Sequence, residues 1–276
     1  TLDTLLDEMI SYEENARYPA VPYTCRQESS YDRRSVSPDS AFWFANNDGF
    51  GIIRTDTLNG RRENVLFDQT GPGVITRFWL TTMDKRGTMR FYFDGSSQAQ
   101  WEIPAYDLMQ TGLPLGRGLL QPHTSYTPDG KGGNTLFLPI PYAKGCKITF
   151  ELPDGVEPTP KYYGINFRKY PSGTPVKPFS PEEVTRLRDK IEQTNTLLLS
   201  PPDYRKGIQT NSHGKIASGK SLLLDLPKGE NAVHLLTFHI ETDTARYRQA
   251  MRQLIVQIAF DGRQTVSVPL SDFAAG

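Results

Sequence analysis

Five side chains in the sequence have the chemistry to hold a ligand rich in hydroxyl groups. They are Asp32, Arg33, Trp43, Arg77 and Trp79. Planar guanidinium and indole groups stack on the apolar face of a sugar ring, and aspartate accepts hydrogen bonds from hydroxyl groups. We therefore predict that these residues contact a carbohydrate.

The elements that carry these residues follow from the surrounding pattern. Arg77 and Trp79 stand two apart in an alternating strand, so they share one face and predict either a stacking platform or an ion-paired arginine beside a half-buried tryptophan. The other three lie in a polar, irregular stretch from 19 to 47. A structureless segment of that length is uncommon unless it binds something, which makes it a candidate binding loop.

Other chemically capable groups do not combine into a site. His234 and His239 stand five apart on a predicted strand, so they face opposite sides and cannot share a metal ion. The glycine-rich stretch 130–133 lacks the spacing of a phosphate-binding loop. Ser30 beside Asp32 makes no catalytic triad without a placed histidine. We predict no metal and no cofactor.

Composition and charge limit the partners. The 276 residues contain 31 Lys plus Arg and 31 Asp plus Glu, so no basic field would attract nucleic acid or an anionic membrane. No apolar run is long enough to span a bilayer. Two cysteines, Cys25 and Cys146, are too few for a disulfide framework. The chain begins at Thr1, which fits a processed secreted or periplasmic protein or a trimmed one, and we expect the former.

Strand patterns dominate the first part of the chain. Apolar alternation between turn signals favours an antiparallel sandwich or jelly roll over a βαβ sheet. The opening residues 2–10 instead have the apolar spacing of an amphipathic helix. The predicted strands cover 50–55, 62–67, 73–83, 88–93, 98–103, 134–138, 147–152 and 162–167.

A second helix is predicted at 180–199, where Ser180 provides the cap and Pro181 suits the first helical position. Glu183 can complete a capping box, and two prolines from Pro201 end the helix. We expect this helix to connect two units.

Parts of the first unit recur after this helix. Phe93-Asp-Gly followed by I103-P-A-Y-D107 returns as Phe260-Asp-Gly followed by V268-P-L-S-D272, and 221–225 and 233–243 echo two earlier strands. Because order and spacing are kept over a long period, each copy is a whole domain. The predicted architecture is all-β, with tandem jelly-roll units at 1–175 and 206–276 joined by a connector at 176–205.

The second unit stops short of its last strands, which predicts exposed sheet edges and half a core. We expect another chain in a homo-oligomer, or a C-terminal remainder, to complete it. The alternative is that a few strands covered by the helix suffice.

The combined motifs resemble domain-of-unknown-function family 2961, part of which is glycoside hydrolase family 172. The resemblance covers roughly residues 20 to 170 and rests on a motif set rather than on one motif: S29-S-Y-D-R33, F42-W-F-A-N-N-D48, G71-P-G-V-I-T-R-F-W79 and R90-F-Y-F-D-G95. It implies tandem jelly rolls, trimers or hexamers, and hydrolysis or transfer of fructofuranosides or arabinofuranosides.

Catalysis of that kind uses two carboxyl groups, about 5 to 5.5 Å apart in retaining enzymes. The resemblance implies two catalytic glutamates near the Asp-Gly hairpin of the second unit. The matching stretches here, 254–256 and 270–273, contain no glutamate. Asp272 is the nearest acid, and its counterpart Asp107 predicts a turn-capping role. Three hypotheses remain: a furanoside-active enzyme, a noncatalytic carbohydrate-binding or assembly module, and a capsid-like structural protein.

Overall fold

The computed structural model describes residues 1–41, 43–124, 131–202 and 207–275. Its contacts separate two compact units, Thr1–Lys206 and Gly207–Gly276. The helix predicted at 180–199 falls within the first of these units.

The first unit is a β-sandwich of two antiparallel sheets, as the strand patterns predict. In the first sheet the order is β1-β11-β4-β8-β7, with β9 also paired to β4, and in the second it is β2-β3-β10-β5-β6. The strands are β1 Thr24–Ser29, β2 Arg54–Leu58, β3 Arg61–Thr70, β4 Gly73–Thr82, β5 Thr88–Phe93, β6 Trp101–Pro104, β7 Leu120–Thr124, β8 Gly132–Leu136, β9 Ile140–Tyr142, β10 Gly145–Glu151 and β11 Lys161–Lys169.

The sequence patterns did not predict three of the observed strands. β1 lies inside the stretch predicted to be irregular, and β7 and β9 lie in stretches with no predicted strand. The sequence of β1, Thr-Cys-Arg-Gln-Glu-Ser, has no apolar alternation, yet it pairs with β11 from Thr24↔Lys169 to Ser29↔Gly164. Main-chain pairing with a well-placed neighbour therefore makes this strand, since its side chains bury little.

The core lies between the sheets and follows the alternation, with one correction. Strict alternation along β4 would bury Phe78 and Leu80 and put Ile75 on the outer face with Arg77, but all three apolar side chains are buried. The register with β11 slips here: Asn166 pairs with Arg77 while the next residue, Phe167, pairs with Ile75. This β-bulge at Thr76 turns Ile75 back into the core.

The turn Gly71-Pro72-Gly73 carries the chain from the second sheet to the first. Gly71 adopts φ +83°, which side chains rarely allow. A Cβ on Gly73 would lie 2.4 Å from the Tyr142 hydroxyl and 2.7 Å from the Arg168 carbonyl oxygen. Gly71 is therefore needed for its backbone angle, and Gly73 is needed because a side chain there would clash with its neighbours.

Helices close one side of this core. α1 covers Leu2–Ile10, α2 Tyr12–Asn15, α3 Pro181–Arg186 and α4 Arg188–Leu199. Leu6 of α1 and Ile191 of α4 are buried in the same cluster. Ser180 caps α3 by accepting the Glu183 N–H at 3.2 Å, as predicted. The Glu183 carboxylate makes no capping box, because it accepts from Arg186 and Lys177 instead. Among the described residues no helix could cross a membrane.

The second unit contains α5 Tyr247–Gln253, β12 Ile255–Phe260, β13 Arg263–Pro269 and α6 Leu270–Ala275. The strands predicted at 221–225 and 233–243 are irregular in the structure. In the first unit, β3 and β4, whose sequences these stretches resemble, pair with β2 and with strands from 132–169. Within residues 207–275 neither stretch pairs with another strand.

Candidate functional site

The outer face of the first sheet places polar and aromatic side chains on neighbouring strands. Gln27 pairs in register with Asn166, which pairs with Arg77, while Gly164 pairs with Trp79. We call the surface formed by these five residues the polar face. Arg77 donates through Nη1 to the Asn166 side-chain oxygen at 3.1 Å. Arg77 and Trp79 therefore share a face, as their spacing predicts, and the arginine's partner here is a neutral amide.

Trp79 lies against neighbouring side chains and backbone on this surface. A Cβ built on Gly164 would lie 3.0 Å from Gln27 Nε2 and 4.0 Å from Cε3 of the indole, so the indole lies beside a residue without a side chain. The His123 ring stacks beside it at 5.7 Å between centroids and 16° between planes. His123 in turn is 3.2 Å from the Leu80 carbonyl oxygen. The indole is therefore bordered by Gly164 and by the His123 ring, and it remains partly exposed.

A cleft of about 220 Å³ lies between α1 and the same sheet. It reaches Thr76, which is next to Arg77 along β4. Its one carboxylate among the lining residues, Glu8, is ion-paired with Arg168, which also lies over the Tyr23 ring at 4.3 Å. Burial alone would lower the pKa of Arg168, but the bond to Glu8 raises it. The lining comprises Leu5, Glu8, Met9, Asn15, Thr76, Phe137, Pro139 and Arg168.

Asp32 lies beneath the loop that follows β1 and is buried. Its carboxylate accepts hydrogen bonds from the Arg34 side chain at 3.0 and 2.6 Å, from the Arg34 N–H and from the Asn47 N–H. The Arg34 side chain, aided by these backbone donors, holds the pKa of Asp32 well below its usual range. The carboxylate therefore organises the loop.

Arg33 crosses the base of this loop. Its Nε donates to the Ile52 carbonyl oxygen at 2.7 Å and its Nη2 to the Ser29 carbonyl oxygen at 3.3 Å. The guanidinium also lies over the Tyr31 ring, 4.6 Å from the centroid. These contacts tie the two ends of the loop together.

Trp43 lies on the exposed part of the loop. Its side chain is 49% exposed and its ring lies 5.4 Å from that of Phe44, which is 78% exposed. The loop is anchored to the start of β11, because the Ser30 N–H donates to the Tyr163 carbonyl oxygen and the Lys161 N–H donates to that of Gly49. The strand that anchors the loop thus also carries Gly164 and Asn166.

Two glutamates converge on the outer face of the second sheet. Arg90 Nη1 lies 2.5 Å from Glu151 and 3.6 Å from Glu63. Glu63 is fully buried and also accepts from the Tyr92 hydroxyl at 2.7 Å and from Arg61 Nε at 3.1 Å. A general acid needs a raised pKa, whereas Glu63 has a lowered one. This arrangement is a structural charge network.

Asp107 caps the short helical turn that follows it, a role that the sequence predicts for Asp272 by correspondence. Its carboxylate accepts the Met109 N–H at 3.0 Å and an Asn134 amide N–H at 3.1 Å, and is 2.9 Å from Lys85 Nζ. Asp272 lies exposed in α6, 3.2 Å from the Ser271 hydroxyl.

The residues 1–41, 43–124, 131–202 and 207–275 contain no His, Cys, Asp and Glu cluster arranged to hold a metal ion. His239 lies in irregular backbone, exposed, 3.5 Å from Glu241. Of the glycine-rich stretch 130–133, Gly132 and Gly133 begin β8, and Gly130 lies outside the described residues.

Sequence reasoning missed three residues of the polar face, Gln27, Gly164 and Asn166, and the neighbouring His123. The alternation in β11 could have indicated Gly164 and Asn166, because they fall on the face opposite Tyr163 and Ile165. Gln27 and His123 carry no comparable signal, since β1 and β7 have no strand pattern.

The first unit is thus a β-sandwich whose outer face carries aromatic and amide side chains. Residues 21–187 match the family model of the GH172 first beta-sandwich domain. The chain therefore belongs to the GH172 family, whose members are related to glycoside hydrolases. No curated protein matches the chain.

Proposed function

We propose that the protein binds furanoside carbohydrates on the polar face, in the service of furanoside hydrolysis or transfer. The observation that carries this proposal is the partly exposed Trp79 indole, which lies next to Gly164 on the same face as the hydrogen-bonded side chains of Arg77 and Asn166. The C–H face of a sugar ring packs on such an indole, and its hydroxyl groups reach the flanking donors and acceptors.

The loop after β1 supplies the second part of the proposed surface. Trp43 offers an exposed ring for a further stacking contact. Asp32 and Arg33 serve binding by holding the loop in shape, because their polar atoms are engaged within it. A fixed loop loses less conformational entropy when a ligand binds than a loose one does.

Glycoside hydrolysis needs two carboxyl groups flanking the bond that breaks. Among the described residues of the polar face and cleft, Glu8 is the one carboxylate, and Arg168 neutralises it. This observation favours the alternative function, a noncatalytic carbohydrate-binding or assembly module with the same face. In either case the residues of the polar face bind and orient the ligand.

We also propose that the two units are related jelly rolls. The hairpin of β12 and β13 supports this kinship, because Asp261 and Gly262 at its turn have φ of 51° and 75°, close to the 55° and 82° of Asp94 and Gly95. Matching backbone at matching sequence is the feature expected of a duplicated domain.

Titration with defined oligosaccharides tests the binding proposal. We expect fructofuranosyl and arabinofuranosyl oligomers to bind and cello-oligosaccharides to bind more weakly. Trp79→Ala should weaken furanoside binding about tenfold or more, since an aromatic contact contributes about 0.5–1.5 kcal/mol beyond the area it buries. Tyr18→Ala removes a fully exposed aromatic outside the polar face and should change nothing.

Two outcomes of this titration contradict the proposal. Equal affinity of Trp79→Ala and wild type would remove the polar face from consideration. Equal binding of furanosides and cello-oligosaccharides would remove the furanoside preference. Release of nitrophenol from aryl furanosides separates the two functions, because binding without release supports the noncatalytic module.

A further inference from the structure

The cleft between α1 and the first sheet adjoins the polar face. Asn166 of the polar face and Arg168 of the cleft stand two positions apart in β11, and Phe167 between them is buried in the core. Side chains two apart share one face of a sheet, about 7 Å from each other along the strand. On β4, Thr76 of the cleft is the chain neighbour of Arg77 of the polar face. The cleft and the polar face are therefore continuous parts of one surface.

The cleft has room for one small ring. Its volume is about 220 Å³, below the roughly 300–1,000 Å³ of pockets that enclose drug-sized ligands. Gly164, which borders the Trp79 indole, and Arg168 are four positions apart in β11, a distance of about 14 Å along the strand. A ligand that reaches both the indole and the cleft must therefore be longer than a single sugar ring.

Apolar side chains from two segments line the cleft. Leu5 and Met9 come from α1, and Phe137 and Pro139 come from the segment between β8 and β9. Phe137 is partly exposed, so one aromatic ring is accessible to a ligand. Aromatic and aliphatic groups of this kind pack on the C–H face of a sugar ring. This part of the cleft contributes apolar contact area without adding charge.

The polar part of the cleft is the ion pair of Glu8 and Arg168. The Glu8 side chain is 35% exposed and that of Arg168 is 22% exposed. A carboxylate has several lone pairs and a guanidinium has five N–H donors, so the paired groups can still accept and donate further hydrogen bonds. Two adjacent hydroxyl groups can donate to Glu8 and accept from Arg168 while the pair stays intact. A charged ligand would displace one partner and leave the other charge uncompensated, so the cleft favours a neutral ring.

We propose that the cleft is a second carbohydrate subsite, which takes one neutral ring of an oligosaccharide whose other end lies on Trp79. This inference rests on the furanoside binding proposed for the polar face. The ion pair of Glu8 and Arg168 bridges two neighbouring hydroxyl groups of the ring, and Phe137 packs on its apolar side. The protein therefore selects oligosaccharides over single sugars, and it selects neutral over acidic units in the cleft.

Titration of the full chain with ligands of increasing length tests the subsite. The probes are linear arabinofuranosyl oligomers, from the methyl glycoside of one unit to the pentasaccharide. Affinity should rise about tenfold at the length that first reaches the cleft and change little beyond it, because hydrogen bonds to charged groups contribute more than neutral ones. Phe137→Ala should remove most of this rise and leave the affinity of shorter oligomers at the wild-type value.

Glu8→Gln tests the preference for a neutral ring, a readout that a purely structural role would not change. The variant leaves Arg168 without its counter-charge, so oligomers whose primary alcohols are oxidised to carboxylates should bind it about tenfold more tightly than they bind the wild type. Oxidised oligomers too short to reach the cleft should gain nothing. Glu14→Gln is the matched control, because Glu14 is also paired with an arginine, Arg17, but lies outside the lining of the cleft. This control should bind every probe as the wild type does.

The subsite is overturned if affinity does not depend on length, if Phe137→Ala weakens every length equally, or if Glu8→Gln leaves the ratio of oxidised to neutral affinity unchanged. Failure of the polar face gives a different result. Trp79→Ala should weaken every length, including those too short to reach the cleft. If it does not, while the length dependence and the effect of Glu8→Gln persist, the polar face is wrong and the cleft stands as a carbohydrate site. Absence of binding at every length overturns both proposals.

Discussion

Glu63 provides the sharpest test of the charge network on the second sheet, and Glu63→Gln is the change to make. The carboxylate is fully buried and accepts from Tyr92, Thr149 and Arg61, with Arg90 3.6 Å away. Glutamine keeps the shape and can still bond to the two hydroxyls, so the loss is the charge facing the two arginines. Hydrogen bonds to charged groups contribute about 1.5–3 kcal/mol, so we expect the free energy of unfolding to fall by about 2–3 kcal/mol.

Tryptophan fluorescence is the appropriate assay, because Trp43, Trp79 and Trp101 are the three tryptophans of the chain and all lie in the first unit. Urea unfolding at pH 7 should give the loss directly. A loss of this size in a domain of about 200 residues lowers Tm by about 5–10 °C.

The pH dependence adds a second check on the same variant. Burial raises the pKa of Glu63, but hydrogen bonds from Thr149, Tyr92 and Arg61 and the charge of Arg90 outweigh it, so the folded pKa lies below the unfolded one. The stabilisation is therefore complete above the unfolded pKa of about 4.3 and is lost as the pH falls through the folded pKa. The difference in free energy of unfolding between the wild type and Glu63→Gln should therefore become smaller as the pH is lowered.

The control is Glu102→Gln, which also removes a bond to Arg90 but from a side chain that is 54% exposed. An exposed pair contributes about 0–1 kcal/mol, so this variant should stay near the wild type. The reasoning fails if Glu63→Gln unfolds at the wild-type urea concentration, or if its deficit is the same at pH 3 as at pH 7.

Two further predictions concern the same unit. Asp84→Asn should destabilise it by about 3 kcal/mol, because Lys161, which is 3.3 Å away and buried, would lose its counter-ion. Adding Lys161→Met should recover part of that loss in urea unfolding, and a double variant less stable than Asp84→Asn would contradict the pairing. Gly73→Ala should cost about 1–3 kcal/mol, because its Cβ would lie 2.4 Å from the Tyr142 hydroxyl. Gly214→Ala, whose nearest contact would be 3.4 Å, is its control, and equal stability of the two variants would refute the steric argument.

Much of the sandwich could be predicted from the sequence because apolar alternation records which side of a strand is buried. β5 begins and ends where its pattern does, at Thr88 and Phe93. The same alternation correctly placed Arg77 and Trp79 on one face. It failed at Ile75, because a bulge at Thr76 changes the periodicity and depends on pairing with β11 rather than on the sequence of β4.

The candidate site was harder to predict for a related reason. Asp32 and Arg33 were chosen as residues that could touch a ligand, but their polar atoms are occupied by loop partners that lie up to nineteen positions away. Gln27 and Asn166 gain their place beside Arg77 from strand pairing between distant segments. Residue type indicates what a side chain can bind, whereas the fold decides which partner it meets first.

In the second unit, too, the formation of a strand depends on the segments with which it can pair. The stretch 233–243 has the strand pattern of β4 and is irregular, while Ile255–Phe260 has the pattern of β5 and is a strand. Among the described strands of the first unit, β4 pairs with β8, β9 and β11, whereas β5 also pairs with β6, the next strand in the chain. The hairpin therefore forms from local sequence alone, since a turn such as Asp261-Gly262 brings its two strands together. A strand whose partners are distant forms only where those partners are present, and for that reason the alternating pattern predicts where a strand is possible and the topology determines whether it exists.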